Sequence, residues 1–181
     1  MVDVISSKRS YGSLLKPFLY GLMLSEGLLY PRQLVNDMPV AYAGFAPQNF
    51  SHTFEGVVPA NEIISRSLNV PSVNLLQQYG IEKFHSSLKQ MGITSINKPA
   101  GHYGLSIILG GAEASLWELS GIYAALARQA QGIAAGNISL RYVLDSTTSS
   151  AQPFSCSGIG SGAAYLTLEA LTQASRPGED G

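Results

Sequence analysis

Apolar residues recur at helical spacing near the start of the chain. They are Leu15, Phe18, Leu19, Leu22 and Met23. Steps of three and four residues place these side chains on one face of a helix. We therefore predict a buried amphipathic helix from about Ser13 to Glu26, closed by Gly27 before Pro31. Pro17 fits the first turn, where its missing N–H would have no partner, so the helix must begin close to Ser13.

The helical pattern returns after residue 58. We predict helices at about residues 59–67, 71–79, 81–91, 116–129 and 161–174. Ser115 and Glu118 form the sequence signature of a capping box at the start of the fourth of these. The stretch "GLSIILGG" is apolar but broken by glycine, which favours a buried turn or a short strand. "ISLRYVL" alternates as a strand does, and "MVDVI" is typical of the end of a strand.

Residues 30–58 show no sustained period. Prolines and aromatic residues are scattered through the segment, at Pro31, Pro39, Pro47, Tyr42, Phe45, Phe50 and Phe54. A long stretch without regular structure is usually functional or disordered, and the aromatic residues favour a packed, functional one. We predict that it is a long loop forming one wall of a groove within a single domain that spans residues 1–181.

The length, charge and residue composition of the chain exclude several classes of protein. With 181 residues and 45% hydrophobic content, the chain is long enough for one domain with a core. The net charge is −1 and there is no basic run, which argues against a nucleic-acid partner. Cys156 is the single cysteine and the three histidines are scattered, so we expect neither a disulfide framework nor a metal site. We interpret Cys156 as a small, partly buried thiol.

No run is long and apolar enough to span a membrane, and the N-terminus lacks a signal-peptide pattern.

The stretch "RSYGSLLKPF" contains a candidate nucleophile. Ser13 precedes Lys16 by three residues, which on a helix brings both side chains to one face. A serine hydroxyl becomes a good nucleophile when a neighbouring base takes its proton, and a lysine can be that base if its pKa is lowered. The same spacing recurs at Ser86 and Lys89 and at Ser95 and Lys98, so the pattern alone is not specific. The preceding glycine, the helix start and the apolar helix distinguish Ser13.

A second polar group is needed to pass the proton to the leaving amine. "ISRSLNVPSVNLL" offers Ser67 and Asn69 for this role. The alternative is that Asn69 caps the helix that begins at Pro71. Ser72 and Asn74 repeat the Ser-x-Asn spacing a few residues later, so this motif is also not specific by itself.

Three stretches together resemble a known enzyme family. They are "RSYGSLLKPFLYGLMLSEGLL", "PQNFSHTFEGVVPANEIISRSLNVPSVNLLQQYG" and "GLSIILGGAEASLWELSGIYAALARQAQG". In this order and separation they are similar to the transpeptidase domain of class A penicillin-binding proteins, and within that family they resemble the 1C type most. The resemblance extends from about Val2 to Leu171. It implies the α+β fold that these transpeptidases share with serine β-lactamases, with no cofactor and no metal.

The resemblance also implies residue roles. Ser13 matches the serine that is acylated by D-Ala-D-Ala stem peptides of peptidoglycan and by β-lactams. Lys16 matches its general base. Ser67 matches the group that passes a proton to the departing D-Ala, and Asn69 matches the group that binds the substrate amide. An amine from a neighbouring strand then completes the cross-link. The implied location is periplasmic, with the parent protein anchored in the inner membrane by another segment.

The sequence departs from the family pattern at the third motif. None of the five lysines is followed by Thr-Gly or Ser-Gly. We expect the chain to stop just before the strand that carries this motif, and therefore to be a mostly helical fragment that lacks much of the antiparallel sheet. That strand would supply one oxyanion-hole amide, so we expect weak or absent transpeptidase activity. Apolar surface that the sheet would cover would favour self-association.

Two other hypotheses remain open at this point. One is a non-catalytic module that binds a β-lactam or a wall peptide without turnover. The other is a purely structural helical domain with a solvated serine and lysine. Acylation of the serine is expected for the enzyme and for the binding module, and turnover of a D-Ala-D-Ala peptide separates those two.

Overall fold

The computed structural model describes residues 4–42, 44–133 and 153–174, and it is mainly helical. In chain order the helices are α1 (Lys16–Ser25), α2 (Ala60–Ser65), α3 (Asn69–Tyr79), α4 (Ile81–Gln90), α5 (Ala100–Tyr103), α6 (Leu116–Ala130) and α7 (Ser161–Thr172), with a 3₁₀ helix at Gly104–Leu109 between α5 and α6. The strands form two small antiparallel sheets. The predicted mainly helical, partial α+β architecture is therefore confirmed.

The first sheet pairs β1 (Arg9–Ser10) with β4 (Glu113–Ala114). It brings the segment before Ser13 against the segment before α6. Val4 and Ile5 lie in a turn, so the prediction of a strand end at "MVDVI" is wrong for these two residues. The strand predicted at "ISLRYVL" lies outside the described residues.

The second sheet pairs β2 (Leu34–Asp37) with β3 (Gly56–Pro59). The prediction that residues 30–58 lack regular structure is therefore wrong at both ends of the segment. Only every second residue of β2 is buried, and one of these is the carboxylate of Asp37. A buried acidic residue within a four-residue strand removes the apolar alternation that would reveal the strand in the sequence.

The aromatic residues of this segment differ in their packing. Tyr42 and Phe45 are partly buried and pack against the core, as predicted. Phe50 is 99% exposed and Phe54 is 37% exposed, so the prediction of packing is wrong for these two. The prediction that this segment forms one wall of a groove stays a prediction.

Helix α1 lies at the centre of the core, with every residue from Lys16 to Met23 buried. It packs against α2, α3 and α7. Gly21 permits the close approach of α7, because a Cβ at this position would lie 3.1 Å from Thr167 Oγ1. A helix that is buried on all sides holds its N-terminus firmly, and that end carries Lys16.

Helix α1 begins three residues later than predicted, at Lys16 and not at Ser13. In a helix starting at Ser13, residue 17 would have to donate its N–H to the Ser13 carbonyl, and proline has no N–H. A start at Lys16 places Pro17 in the first turn, where no donor is needed.

The other predicted helices are confirmed, with boundaries that differ by about two residues. The capping box is present, with the Ser115 side chain accepting from the Glu118 N–H. "GLSIILGG" forms the 3₁₀ helix and a following turn. Across the described ranges, no helix is both long enough and apolar enough to cross a membrane.

Candidate active site

Lys16 is a buried cation held entirely by oxygen acceptors. Its side chain sits at the first position of α1, and the residue is 2% exposed. The ammonium donates hydrogen bonds to the Ser67 carbonyl oxygen (2.7 Å), to Ser67 Oγ (3.2 Å) and to Asn69 Oδ1 (2.7 Å). These contacts join the N-terminus of α1 to the turn between α2 and α3.

Burial lowers the pKa of Lys16 from its usual value of 10.5 to about 7. Removing an ammonium from water disfavours its charged form. Among the described residues, no carboxylate forms an ion pair with Lys16 that would counter this effect. A pKa near 7 leaves a large neutral fraction at neutral pH, and a neutral amine can accept a proton.

Ser67 occupies a strained position at the end of α2. Its φ angle is +53°, in the left-handed region that favours glycine. The Ser67 N–H donates to the Ile64 carbonyl and the Leu68 N–H to the Ile63 carbonyl, which is the Schellman pattern of a helix end. A serine at this position costs backbone energy that glycine would avoid, and it places a hydroxyl beside the ammonium of Lys16.

Asn69 is the first residue of α3, and the alternative that it caps a helix is wrong. The N-cap is Leu68, without a side-chain cap. The Asn69 Oδ1 accepts from Lys16, and its Nδ2 donates to the Gln48 carbonyl at 2.9 Å. The side chain therefore faces Lys16 across the turn instead of the N–H groups of its own helix.

Ser13 lies in a turn just ahead of α1. The Lys16 N–H donates to the Ser13 carbonyl (3.1 Å), and Gly12 supports the turn with a φ of +55°. Tyr123 of α6 donates its hydroxyl to the Leu14 carbonyl at 2.8 Å. The Ser13 side chain is half-buried. In the described part of the chain, its hydroxyl has no hydrogen-bond partner.

Thus the fold joins three of the four predicted site residues directly. Lys16, Ser67 and Asn69 share hydrogen bonds. Ser13 is linked to Lys16 through the backbone turn and not through its side chain.

The competing Ser-x-x-Lys and Ser-x-Asn pairs do not form sites. Ser86 and Lys89 are both exposed on α4. Ser95 donates to Glu118 at 2.5 Å while Lys98 is exposed. The pair Ser72 and Asn74 is buried in α3, where the serine hydroxyl bonds to the Leu68 carbonyl and the asparagine accepts from Tyr42.

Two further residues support the site, and the sequence reasoning missed them. Asn49 and Asp37 are 3% and 1% exposed. They are hydrogen-bonded to each other, and Asn49 accepts from the backbone at the start of α3. Each lies in a stretch without periodicity, so no local pattern identified it. The described residues contain no group of three or more His, Cys, Asp or Glu side chains that could hold a metal ion.

Comparisons with known proteins agree on one family. Residues 2–145 match the family described as "Penicillin binding protein transpeptidase domain". The chain is 42% identical to penicillin-binding protein 1C of Escherichia coli (strain K12) over 127 residues, which cover 70% of this chain and 16% of that protein. It is 27% identical to penicillin-binding protein 1B of Vibrio cholerae over 184 residues, covering 97% of this chain and 23% of the relative. The chain thus spans less than a quarter of the length of these relatives.

Solved structures show the same fold. The apo structure of the TP domain of Burkholderia pseudomallei penicillin-binding protein 3 superposes with a TM-score of 0.73 at 17% identity. That match covers 96% of this chain and 56% of the other. A peptidoglycan glycosyltransferase structure from Burkholderia ambifaria gives a TM-score of 0.74 at 16% identity, covering 97% and 58%.

Proposed function

This chain belongs to the family of penicillin-binding protein transpeptidase domains, and we propose that its parent protein cross-links peptidoglycan as a serine D,D-transpeptidase. The observation that carries the proposal is the environment of Lys16. This lysine is buried with a pKa of about 7 and is held against Ser67 and Asn69. A solvated structural lysine would have none of these properties.

In the first step, Ser13 Oγ attacks the carbonyl carbon of the D-Ala-D-Ala bond. Neutral Lys16 takes the hydroxyl proton, the new C–O bond forms, and the peptide C–N bond breaks. The departing D-Ala nitrogen needs a proton. Ser67 Oγ lies 3.2 Å from Lys16 Nζ, and a hydroxyl can both accept and donate, so it can pass that proton on.

Asn69 would orient the substrate. An amide NH₂ has two hydrogens, and one of those on Asn69 Nδ2 is used by the Gln48 carbonyl. The second can bind a substrate carbonyl while Oδ1 keeps Lys16 in place.

The acyl-enzyme is then consumed by an amine. The amine of a second stem peptide attacks the ester carbonyl, a new amide C–N bond forms, and the ester C–O bond to Ser13 breaks. The proton lost by the amine returns to the Ser13 oxygen. With a β-lactam, the ring C–N bond opens but the nitrogen stays attached to the acyl group. The adduct therefore persists on Ser13.

We place the domain in the periplasm, where its partners would be stem peptides and β-lactams, with membrane anchorage through another part of the parent protein. The chain contains no Lys-Thr-Gly sequence, so we expect it to acylate slowly and to cross-link weakly or not at all. An incomplete oxyanion hole costs on the order of a hundredfold or more in rate. The alternative, a binding module without turnover, is not favoured by the family match.

The test is the intact mass of the chain after incubation with benzylpenicillin. We expect a gain equal to one whole benzylpenicillin molecule, because ring opening releases no fragment. The adduct should be absent in Ser13→Ala and unchanged in Ser86→Ala, a control serine with the same Ser-x-x-Lys spacing. An equal adduct on Ser13→Ala would overturn the assignment of the nucleophile.

A second assay separates an enzyme from a binding module. Release of more than one equivalent of D-Ala per chain from a D-Ala-D-Ala stem peptide, measured over many hours, reports turnover, because acylation alone releases one equivalent. Turnover that depends on Ser13 supports the enzyme. Acylation by benzylpenicillin with no D-Ala release beyond one equivalent, in a chain extended to include a Lys-Thr-Gly strand, would favour the binding module.

A further inference from the structure

The first turn of α3 is capped by a residue from a distant loop. Asn49 Oδ1 accepts from the backbone N–H groups of Asn69 (3.0 Å) and Val70 (3.1 Å). These are two of the N–H groups that a helix start leaves without a partner. Because Leu68 supplies no side-chain cap, Asn49 fills that role from 20 residues away.

Asn49 is itself held on its other side. Its Nδ2 donates to Asp37 Oδ1 at 2.7 Å and to the Thr53 carbonyl at 3.1 Å. These bonds settle the orientation of the amide, because the nitrogen must face the two acceptors and the oxygen must face α3.

Asp37 joins the two ends of the loop that runs from β2 to β3 and contains Asn49. While Oδ1 accepts from Asn49, Oδ2 accepts from the Glu55 N–H at 3.0 Å. The Glu55 side chain in turn forms an ion pair with Arg66, the residue just before Ser67. One buried carboxylate thus connects to the residues on both sides of Ser67, through Glu55 to Arg66 and through Asn49 to Asn69.

The loop also orients the side chain of Asn69. The Gln48 carbonyl accepts from Asn69 Nδ2, which leaves Oδ1 to face Lys16. Backbone and side chain of Asn69 are therefore both held by the neighbouring residues Gln48 and Asn49.

We propose that Asn49, held by Asp37, is a positioning residue that fixes the first turn of α3 so that Asn69 holds Lys16. The proposal deepens the proposed function and rests on it, since it assigns Lys16 and Asn69 to the reacting site. Asn49 touches neither Lys16 nor Ser13 through any hydrogen bond in the described ranges, so it acts through Asn69.

The direct readout is the titration midpoint of the Lys16 side chain. The chain has five lysines, so ¹³Cε-labelled lysine gives five NMR signals, and Lys16→Arg identifies the one of interest. In Asn49→Ala we expect the midpoint to rise from about 7 by roughly one pH unit or more, because a loosened α3 turn admits water to the ammonium. This measurement does not require activity.

A double-mutant cycle separates positioning from a general loss of structure. If Asn49 acts through Asn69, Asn49→Ala produces no further shift of the Lys16 midpoint in an Asn69→Ala background. Equal shifts in both backgrounds, or an unchanged midpoint in Asn49→Ala alone, would overturn the proposal. Ser51→Ala, in the same loop and exposed, and Ser115→Ala, which removes the capping box of α6, should leave the midpoint unchanged.

A second variant covers the case in which Asn49→Ala does not fold by circular dichroism. Asp37→Asn keeps the volume and an acceptor for Asn49 but turns an NH₂ towards the Glu55 N–H. We expect a smaller upward shift of the Lys16 midpoint, and no shift in folded protein would count against the proposal.

Benzylpenicillin acylation, run in parallel, distinguishes a failure of the positioning role of Asn49 from a failure of the proposed function. A shifted Lys16 midpoint in Asn49→Ala with no adduct on the unaltered chain would leave the positioning role intact and count against the proposed function. A normal adduct on the unaltered chain with an unshifted Lys16 midpoint in Asn49→Ala would support the proposed function and count against the positioning role.

Discussion

The ammonium of Lys16 donates a hydrogen bond to the backbone carbonyl of Ser67 across 2.7 Å, although 51 positions separate them in the chain. A backbone acceptor cannot be removed by substituting a side chain, so this contact depends only on the path of the turn between α2 and α3. We therefore expect Lys16 to stay at the site even in variants that lack the Ser67 hydroxyl. Its basicity and its position can therefore be tested separately.

The rate of Ser13 acylation by benzylpenicillin should depend on pH through Lys16. Below its pKa of about 7 the lysine is protonated and cannot accept the serine proton. We expect the rate to rise about tenfold per pH unit below 7 and to level off above it. The profile is measured by running the reaction at several pH values between 5.5 and 8.5, quenching samples at fixed times and determining their intact mass. A rate that is flat across the range would contradict Lys16 as the base, and Lys16→Met should form no adduct.

The free energy of unfolding should rise with pH because of Lys16. The pKa of Lys16 is about 7 when folded and 10.5 when unfolded, so between these values the unfolded state binds more protons. The free energy of unfolding should increase by about 2 kcal/mol from pH 7 to pH 9 on this account. Urea titrations at several pH values measure it. In Lys16→Met the increase should disappear, and an equal increase in that variant would assign the effect to other groups.

The backbone strain at Ser67 should be measurable by comparing two substitutions. Glycine adopts a φ of +53° without the penalty that a side chain imposes, whereas alanine keeps the penalty. We expect Ser67→Gly to be more stable than Ser67→Ala by about 1 kcal/mol in urea unfolding. Both variants lose the hydroxyl and should acylate more slowly. Equal stabilities would show that the turn relaxes around the side chain.

Gly110 should be required for the turn that carries Ser13. A Cβ at this position would lie 2.7 Å from Gly12 Cα and from Ser10 Oγ, and the φ of Gly110 is +90°. We expect Gly110→Ala to lower the free energy of unfolding by about 2 kcal/mol or more and to slow acylation. The control is Gly162→Ala in α7, where an added Cβ would meet no side chain or neighbouring element within 4 Å. Helix propensity should stabilise this variant by up to about 1 kcal/mol.

The chain should self-associate through exposed apolar side chains. Leu34 and Val57 lie on the exposed side of the β2–β3 sheet, and Tyr30 nearby in the chain is 66% exposed. Light scattering should show a mass above that of the monomer, which decreases in Leu34→Glu and Val57→Glu. A monodisperse monomer of the unaltered chain would contradict this prediction.

Much of the helical framework could be predicted from apolar spacing, because each helix must turn one face to a core. The capping box at Ser115 and Glu118 is confirmed for a similar reason, since all of its atoms lie within one helical turn. The start of α1 does not follow from apolar spacing, because Pro17 limits it. A helix that began at Ser13 would leave the Ser13 carbonyl without the N–H of residue 17, which proline lacks.

The β2–β3 sheet could not be predicted, because its evidence is not local. The buried carboxylate of Asp37 accepts hydrogen bonds from Asn49 and from the Glu55 N–H. The residues next to Asp37 in the sequence do not indicate these partners. The same holds for Asn49 as the cap of α3, whose partners lie 20 and 21 positions away.

By itself the sequence determined the family, the order of the helices and the residue types available for chemistry, including Ser13, Lys16, Ser67 and Asn69. Only the tertiary structure decided which Ser-x-x-Lys lysine is buried, and so which one is partly neutral near pH 7 and able to accept a proton. Three pairs have the same spacing, but Lys89 and Lys98 are exposed, whereas the packing of α1 against α2, α3 and α7 buries Lys16. That burial, which depends on residues far away in the sequence, lowers the pKa of Lys16.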